Sequence, residues 1–248
     1  MAKIDNDFIV DQYTSGVGNY SEATKKVGLW AAERYVFQKY LRTTDHILDL
    51  GCGTGRTTYA LYQQGYKDII GIDLTPAMIT AAQALSTHFQ ADLDFRVGNA
   101  TALEFQAASF DAVIFSFNGI MSIPRAEQRR KALQEVWRVL RPGGHFVFTT
   151  HDRDKDENYL AFWDEQRNKW DAGERDDRIY EFGDLITTSK NEESNIYIHI
   201  PSRAEVWQSL ARVGFTVQET FYRSDRFHES EQVRQVSGEC RFWVAQKK

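Results

Sequence analysis

The sequence predicts an α/β fold: a doubly wound, mostly parallel seven-stranded sheet with an N-terminal helical segment and an insertion after the fifth strand. Three observations predict it. Strand-like and helix-like patterns alternate from His46 to Thr150, an order that builds parallel βαβ units. A glycine-rich loop, Gly51-Cys52-Gly53-Thr54-Gly55, joins the first strand of that series to its first helix. Asp111 to Phe117 is a near-continuous apolar run of the kind buried on both faces of a parallel sheet.

Taken in order, Tyr20 to Leu41 space Val27, Trp30, Ala31, Tyr35 and Val36 at helical intervals and read as one or two amphipathic helices. His46 to Leu50 is the first strand, and Thr57 to Gly65 a helix closed by its glycine. Asp68 to Ile72 is the second strand. A helix entered at Pro76 runs to about Leu85, and Leu93 to Val97 is the third strand. Asp111 to Phe117 is the fourth. A helix from about Arg125 to Leu140 follows, and Pro142-Gly143-Gly144 turns the chain into a fifth strand, His145 to Thr150.

From His151 to about Pro201 the composition shifts to a charged run, Asp152 to Glu157, an aromatic stretch, and strand-like segments near Ile179 to Thr187 and Ser194 to Ile200. Ser202 and Glu205 are spaced as a capping box for a helix ending at Gly214, after which Phe215 to Tyr222 and Arg241 to Ala245 supply two more strands. The expected organisation is therefore a helical cap over residues 1–44, a core formed by 45–150 and 202–248, and an acceptor-binding insertion over 151–201.

The 248 residues suffice for a single core domain with a modest insertion, and 42% hydrophobic content is that of a folded protein. A net charge of −5 supplies no positive field toward a phosphate backbone or an anionic membrane, so nucleic acid and membrane are disfavoured partners. Met1 to Val10 lacks the apolar core of a signal peptide and no apolar run reaches membrane-spanning length, which makes the cytoplasm the expected compartment. Two cysteines, Cys52 and Cys240, are too few for a disulfide framework or a cysteine-based metal site, and no metal is expected.

The chemistry sits in the glycine loop. Three glycines at alternate positions let a ligand approach the backbone closely. A nicotinamide fingerprint would place its third glycine where Arg56 stands. Asp49, just before the loop, would repel a pyrophosphate but attract the ammonium and sulfonium of S-adenosylmethionine. Asp73 ends the second strand, where a carboxylate accepts hydrogen bonds from both ribose hydroxyls.

Asp49 to Gly55, Gly71-Ile72-Asp73, Gly98-Asn99-Ala100, Phe110 to Val113 and Arg138 to Gly144 resemble, in order, the successive motifs of the class I, Rossmann-like S-adenosylmethionine-dependent methyltransferases, over roughly His46 to Thr150. The resemblance implies that Gly51, Cys52, Gly53 and Gly55 bed the methionine part of the cofactor and Asp73 holds its ribose. It implies that Leu74 and Met78 flank the adenine, Asn99 and Ala100 contact its edge, and Phe117 lies near the transferred methyl. Many members carry Asp where this chain has Asn99. In related enzymes an N-terminal segment, here containing Tyr13 and Tyr20, folds over the cofactor. The product would be S-adenosylhomocysteine.

No catalytic residue is evident, and alignment of nucleophile and methyl makes a base optional. His151 and Asp152, at the carboxyl edge of the sheet, and His199 are candidate bases or plain polar rim residues. Tyr159, Phe162, Trp163, Tyr180, Phe182 and Tyr197 either wall a pocket for an apolar or aromatic acceptor or pack the insertion. Arg125, Arg129, Arg130 and Lys131 read as a solvated helix face. Ser116-Phe117-Asn118-Gly119 stands where amino-directed nucleic-acid methyltransferases carry a Pro-Pro-aromatic motif, and there is no Pro-Cys pair, so the expected acceptor is a small molecule. Methylation of a protein or tRNA, and a non-catalytic S-adenosylmethionine-binding role, are the competing readings. The atom methylated and the oligomeric state are left open.

Overall fold

The computed structural model describes residues 4–155, 157–188 and 195–248. Helices α1 (Asn6–Lys26) and α2 (Ala31–Tyr40) lead into β1 (Ile47–Leu50), α3 (Arg56–Gln63), β2 (Ile69–Asp73), α4 (Pro76–Ala84), α5 (Ser86–Phe89) and β3 (Asp94–Val97). Then come β4 (Phe110–Phe115), a 3-10 turn (Gly119–Ser122), α6 (Ala126–Val139), β5 (Leu140–Thr150), α7 (Glu157–Asp171) and a hairpin of β6 (Asp184–Thr188) and β7 (Asn195–His199). Ser194, the expected start of that last strand, lies outside the described residues. The chain ends through α8 (Arg203–Val213), β8 (Phe215–Tyr222), α9 (Arg223–Arg226), α10 (Glu231–Val236) and β9 (Arg241–Lys247).

The main sheet has seven strands in the order β3-β2-β1-β4-β5-β9-β8. Its first five strands are parallel, and β9 runs antiparallel to both β5 and β8. Period-two alternation explains why its strands read as continuous apolar runs: Val113 and Phe115 enter the cluster that also holds Val136, Phe146 and Trp243, while Ala112 and Ile114 enter the one that holds Val36, Phe37, Leu61 and Val147. Both faces are covered by helices. The chain leaves β1 toward β2 on one side and returns to β4 on the other, so a crevice opens at the carboxyl ends of β1 and β4.

Helices α5, α7, α9 and α10 fall where no helix was expected, and three further elements differ from expectation. α1 begins at Asn6, where Asp5 accepts the Phe8 amide at 3.1 Å; Gly16, Gly18 and a mostly polar composition hid this helix, which buries only Ile9, Gln12, Gly16 and Thr24. The expected turn at Pro142 to Gly144 is a bulge inside a longer β5: Leu140 pairs Phe110, and pairing resumes at His145 opposite Ala112. Ser202 does cap α8 by accepting the Glu205 amide at 3.1 Å, but the Glu205 carboxylate turns away to His199 and Arg153, so the capping box is only half made.

Candidate functional site

The crevice is a cavity lined from four sides. β1 and the glycine loop contribute Asp49 to Thr54, the end of β2 contributes Asp73 to Thr75 with Met78 of α4, and Gly98 to Thr101 follow β3. The segment after β4 supplies Phe115 to Phe117, Gly119 and Ser122 to Pro124, and α1 closes the cavity with Ile9, Tyr13, Tyr20, Ala23 and Thr24.

The loop follows a left-handed path at Gly51 (φ 64°), Gly53 (φ 56°) and Gly55 (φ 90°), the region glycine enters without steric cost. Asp73 pins it, accepting the Gly53 amide at 2.9 Å and the Thr75 amide at 2.8 Å. The Thr24 and Thr54 hydroxyls share a hydrogen bond of 2.7 Å that ties α1 to the loop. Asp49 is fully buried and takes the Thr58 hydroxyl at 2.6 Å; burial pushes its carboxyl up to about 7. Burial also raises Asp73, against the pull of its two amide donors. Burial raises the Cys52 thiol as well, so it stays protonated and packs as a small apolar group.

Of the residues expected to hold a cofactor, Asp49, Gly51, Cys52, Gly53, Asp73, Leu74, Met78, Asn99, Ala100 and Phe117 all line this cavity. Gly55 does not. It sits behind the loop as the left-handed residue that opens α3, and a Cβ there would come within 2.9 Å of Tyr59 and Phe95. A Cβ on Gly53, which lines the cavity, by contrast meets nothing within 4 Å. The Asn99 carbonyl oxygen already accepts the Thr101 amide at 2.9 Å and the Thr101 hydroxyl at 2.8 Å, which leaves the NH₂ group to offer a ligand as a donor.

The three candidate bases are employed elsewhere, and none lines the cavity. The His151 Nδ1 donates to the Glu239 carbonyl at 2.7 Å, and burial lowers its pKa. Asp152 is buried and accepts from Tyr222 and from Arg241, each at 2.9 Å. His199 is buried between Asp184 at 2.8 Å and Glu205 at 2.7 Å. Glu181, Asp184 and His199 form a donor set of metal-binding composition, but Arg129 is paired with Glu181 at 2.9 Å, so a cation already serves it. Burial drives Asp184 upward, yet its hydrogen bonds from His199, Tyr180 and Tyr197 outweigh this and hold it below the usual carboxylate range.

Among the described residues, 151–201 contribute no wall of the cavity. Tyr159, Trp163 and Phe182 pack on the sheet, whereas Tyr180 and Tyr197 pack beside α1. The insertion meets the elements around the site on two sides: β7 packs on the 3-10 turn Gly119–Ser122, and at the N-terminal segment the Tyr180 hydroxyl donates to the Ile4 carbonyl at 2.8 Å and the Tyr197 amide to Gln12 of α1 at 2.9 Å.

The sequence did not mark Arg56 or Ser122 as part of the site. Arg56 donates to Glu33 at 2.6 and 2.7 Å and to the Gly28 carbonyl at 2.7 Å, with its guanidinium 5.9 Å from the Phe117 ring. Tyr13 shares a 2.5 Å hydrogen bond with Ser122, 109 positions away. Tyr20 lies edge-on between Tyr13 (5.9 Å) and Phe117 (6.1 Å). No local pattern could have joined Tyr13 to Ser122, and Arg56 carried only one signal: it stands where another nucleotide fingerprint has glycine.

The strand order, with β9 antiparallel between β5 and β8, and the glycine loop flanked by two carboxylates define the Rossmann-like class I fold of S-adenosylmethionine-dependent methyltransferases. Residues 47–144 match the family described as "Methyltransferase domain". A demethylmenaquinone methyltransferase of Symbiobacterium thermophilum is 34% identical over 124 residues, 48% of this chain and 47% of the relative. An O-methyltransferase of Aspergillus sclerotiorum is 34% identical over 154 residues, 55% of this chain and 57% of the relative. The chain thus spans about half the length of these curated relatives. A solved S-adenosylmethionine-dependent methyltransferase from Methanosarcina mazei shares the fold at a TM-score of 0.70 and 22% identity, covering 89% of this chain and 99% of that one. Among the described residues no helix is long and apolar enough to cross a membrane.

Proposed function

We propose that the chain transfers the methyl group of S-adenosylmethionine to a small-molecule acceptor. The observation that carries this reading is a buried carboxylate, Asp49, beside a glycine loop whose Gly53 leaves open the space a side chain would fill. A dinucleotide's pyrophosphate would be repelled there, and a cationic ligand is attracted.

S-Adenosylmethionine, when bound, supplies a methyl group on a positively charged sulfur. Asp49 faces the ammonium and sulfonium, and the backbone of Gly51 to Gly53 beds the methionine part. Asp73, held by the Gly53 and Thr75 amides, keeps its remaining lone pairs for the ribose hydroxyls. Leu74 and Met78 flank the adenine, and the Asn99 NH₂ group donates to a ring nitrogen on its edge. Phe117 and Tyr20 wall the methyl-transfer zone and exclude water. The bound cofactor would offer its methyl to an acceptor lone pair aligned with it, the carbon–sulfur electron pair leaving on sulfur as S-adenosylhomocysteine, and an acceptor that carries a proton would lose it to water once the product leaves the site. Alignment alone contributes about 7–11 kcal/mol to such a step. In this reading residues 1–44 cap the site and 151–201 brace it through α1 and the 3-10 turn Gly119–Ser122, while 45–150 and 202–248 form the core.

The test is calorimetric titration with S-adenosylmethionine, S-adenosylhomocysteine and NAD, repeated on Asp73→Ala. Saturable binding of both sulfur ligands but not NAD, weakened by the substitution, is the expected outcome. Binding of NAD alone would overturn the reading. Binding without formation of S-adenosylhomocysteine across a broad panel of acceptors would favour a non-catalytic role.

A further inference from the structure

The cavity runs along the ends of neighbouring strands. Its wall is made by Asn99 to Thr101 after β3, by Asp73 to Thr75 at the end of β2 and by Asp49 to Thr54 at the end of β1, and these three strands lie side by side. Paired strands are about 4.8 Å apart, so the β1 end and the β3 end are separated by about 10 Å. A ligand laid across them with its cationic methionine part at Asp49 and its ribose at Asp73 carries its base onward to Asn99 and Thr101.

What these two residues offer a base follows from counting protons. The Thr101 amide can only donate, so the Asn99 atom that meets it at 2.9 Å is the carbonyl oxygen. The Thr101 hydroxyl meets the same oxygen at 2.8 Å, and because that oxygen carries no proton, the hydroxyl supplies one. The Asn99 oxygen then has both lone pairs engaged, and the Thr101 oxygen, its one proton spent, can act only as an acceptor. Both residues line the cavity, where they set a donor, the Asn99 NH₂ group, beside an acceptor, the Thr101 Oγ1. Adenine carries the complementary pair, a ring nitrogen that accepts next to an exocyclic amine that donates. Hypoxanthine has a carbonyl oxygen in place of that amine and would set lone pair against lone pair at Thr101.

We propose that the Thr101 hydroxyl oxygen accepts from the exocyclic amine of the cofactor's base, and that Thr101 thereby makes the site selective for adenine. The inference rests on the methyl-transfer reading and adds a residue to its donor site. A carboxylate at position 99 would accept from the amine itself; with Asn99 turned by the Thr101 amide, that task passes to the neighbouring hydroxyl.

The experiment is calorimetric titration of the whole protein with S-adenosylhomocysteine and with S-inosylhomocysteine, on the wild type, Thr101→Val and Thr101→Ser. The wild type should bind the adenosyl compound about tenfold or more tighter, since a site built to pair a buried polar group rejects the analogue that cannot pair with it. Thr101→Val keeps the shape and removes the acceptor, and should cut that preference by about fivefold or more; Thr101→Ser, which restores the hydroxyl, should keep it within about twofold of the wild type. Each protein is judged by the ratio of its own two affinities, so a change in folded fraction does not move the readout. Equal or tighter binding of the inosyl compound by the wild type, a preference that survives Thr101→Val, or one lost equally in Thr101→Ser would overturn the proposal and leave the donor site standing. Failure of the wild type to bind S-adenosylhomocysteine at all would instead remove the methyl-transfer reading and this proposal with it.

Discussion

Gly53→Ala and Gly55→Ala separate binding from folding within one loop. Both residues have left-handed backbone, at φ 56° and 90°, which costs a residue with a Cβ about 1–2 kcal/mol. At Gly53 that is the whole folding cost, because the new methyl meets nothing within 4 Å. For a chain of this size it lowers Tm by about 2–8 °C. On the proposed donor-site reading the methyl competes with the ligand for that open space, and overpacking of about 1–3 kcal/mol raises the Kd for S-adenosylmethionine roughly 5- to 150-fold. At Gly55 the methyl comes within 2.9 Å of Tyr59 and Phe95. Overpacking then adds to the backbone strain, and the loss of about 2–5 kcal/mol lowers Tm by roughly 4–20 °C. Differential scanning fluorimetry gives the Tm values, and calorimetry on the folded fraction gives the Kd. Wild-type affinity in Gly53→Ala, or a larger affinity loss in Gly55→Ala than in Gly53→Ala, would refute the argument that Gly53 alone of the two faces the ligand.

Other predictions concern charge. Asp49, raised to about 7 by burial, is protonated in the ligand-free protein at lower pH, whereas a cationic ligand requires its carboxylate. The affinity for S-adenosylmethionine should therefore climb between about pH 5.5 and 7, by up to about tenfold per pH unit, and Asp49→Asn should flatten that profile in calorimetric titrations. By the same linkage, ionising Asp49 costs the ligand-free fold stability as pH rises through about 7. Glu33→Ala strands the Arg56 guanidinium, buried under α2, and removes the acceptor of the Trp30 amide at 2.9 Å; urea unfolding should show a loss of about 3–5 kcal/mol. Asp184→Ala leaves the Tyr197 hydroxyl and His199 without their carboxylate and should cost about 1–3 kcal/mol for each group, with S-adenosylmethionine affinity kept at the wild-type level in calorimetry. A large loss of that affinity would contradict the separation of insertion and donor site.

The glycine-loop side of the cavity was legible because its signals are local. Strand, glycine loop and carboxylate follow one another within a few positions, and only Gly55 proved to serve the backbone instead of the cavity. The Tyr13–Ser122 pair was not legible, because it joins α1 to a turn after β4 and nothing in a linear pattern links them. His151, Asp152 and His199, which the sequence offers as bases or as plain polar residues, are engaged by Glu239, Arg241, Tyr222, Asp184 and Glu205, partners that no linear pattern links to them. α1 escaped notice because two mid-helix glycines and few buried apolar side chains erase its periodicity.

The place of β9 also bears on the order of synthesis. It lies between β5 and β8, though both are translated before it. Until Arg241–Lys247 leaves the ribosome, β8 has no partner in the sheet, and β5 shows an open edge carrying Phe146, Val147 and Phe148. The nascent chain can form its glycine loop early but must shield that edge until β9 arrives, so loss of this one strand would detach β8 and expose an aggregation-prone sheet while leaving the donor-site residues intact in sequence.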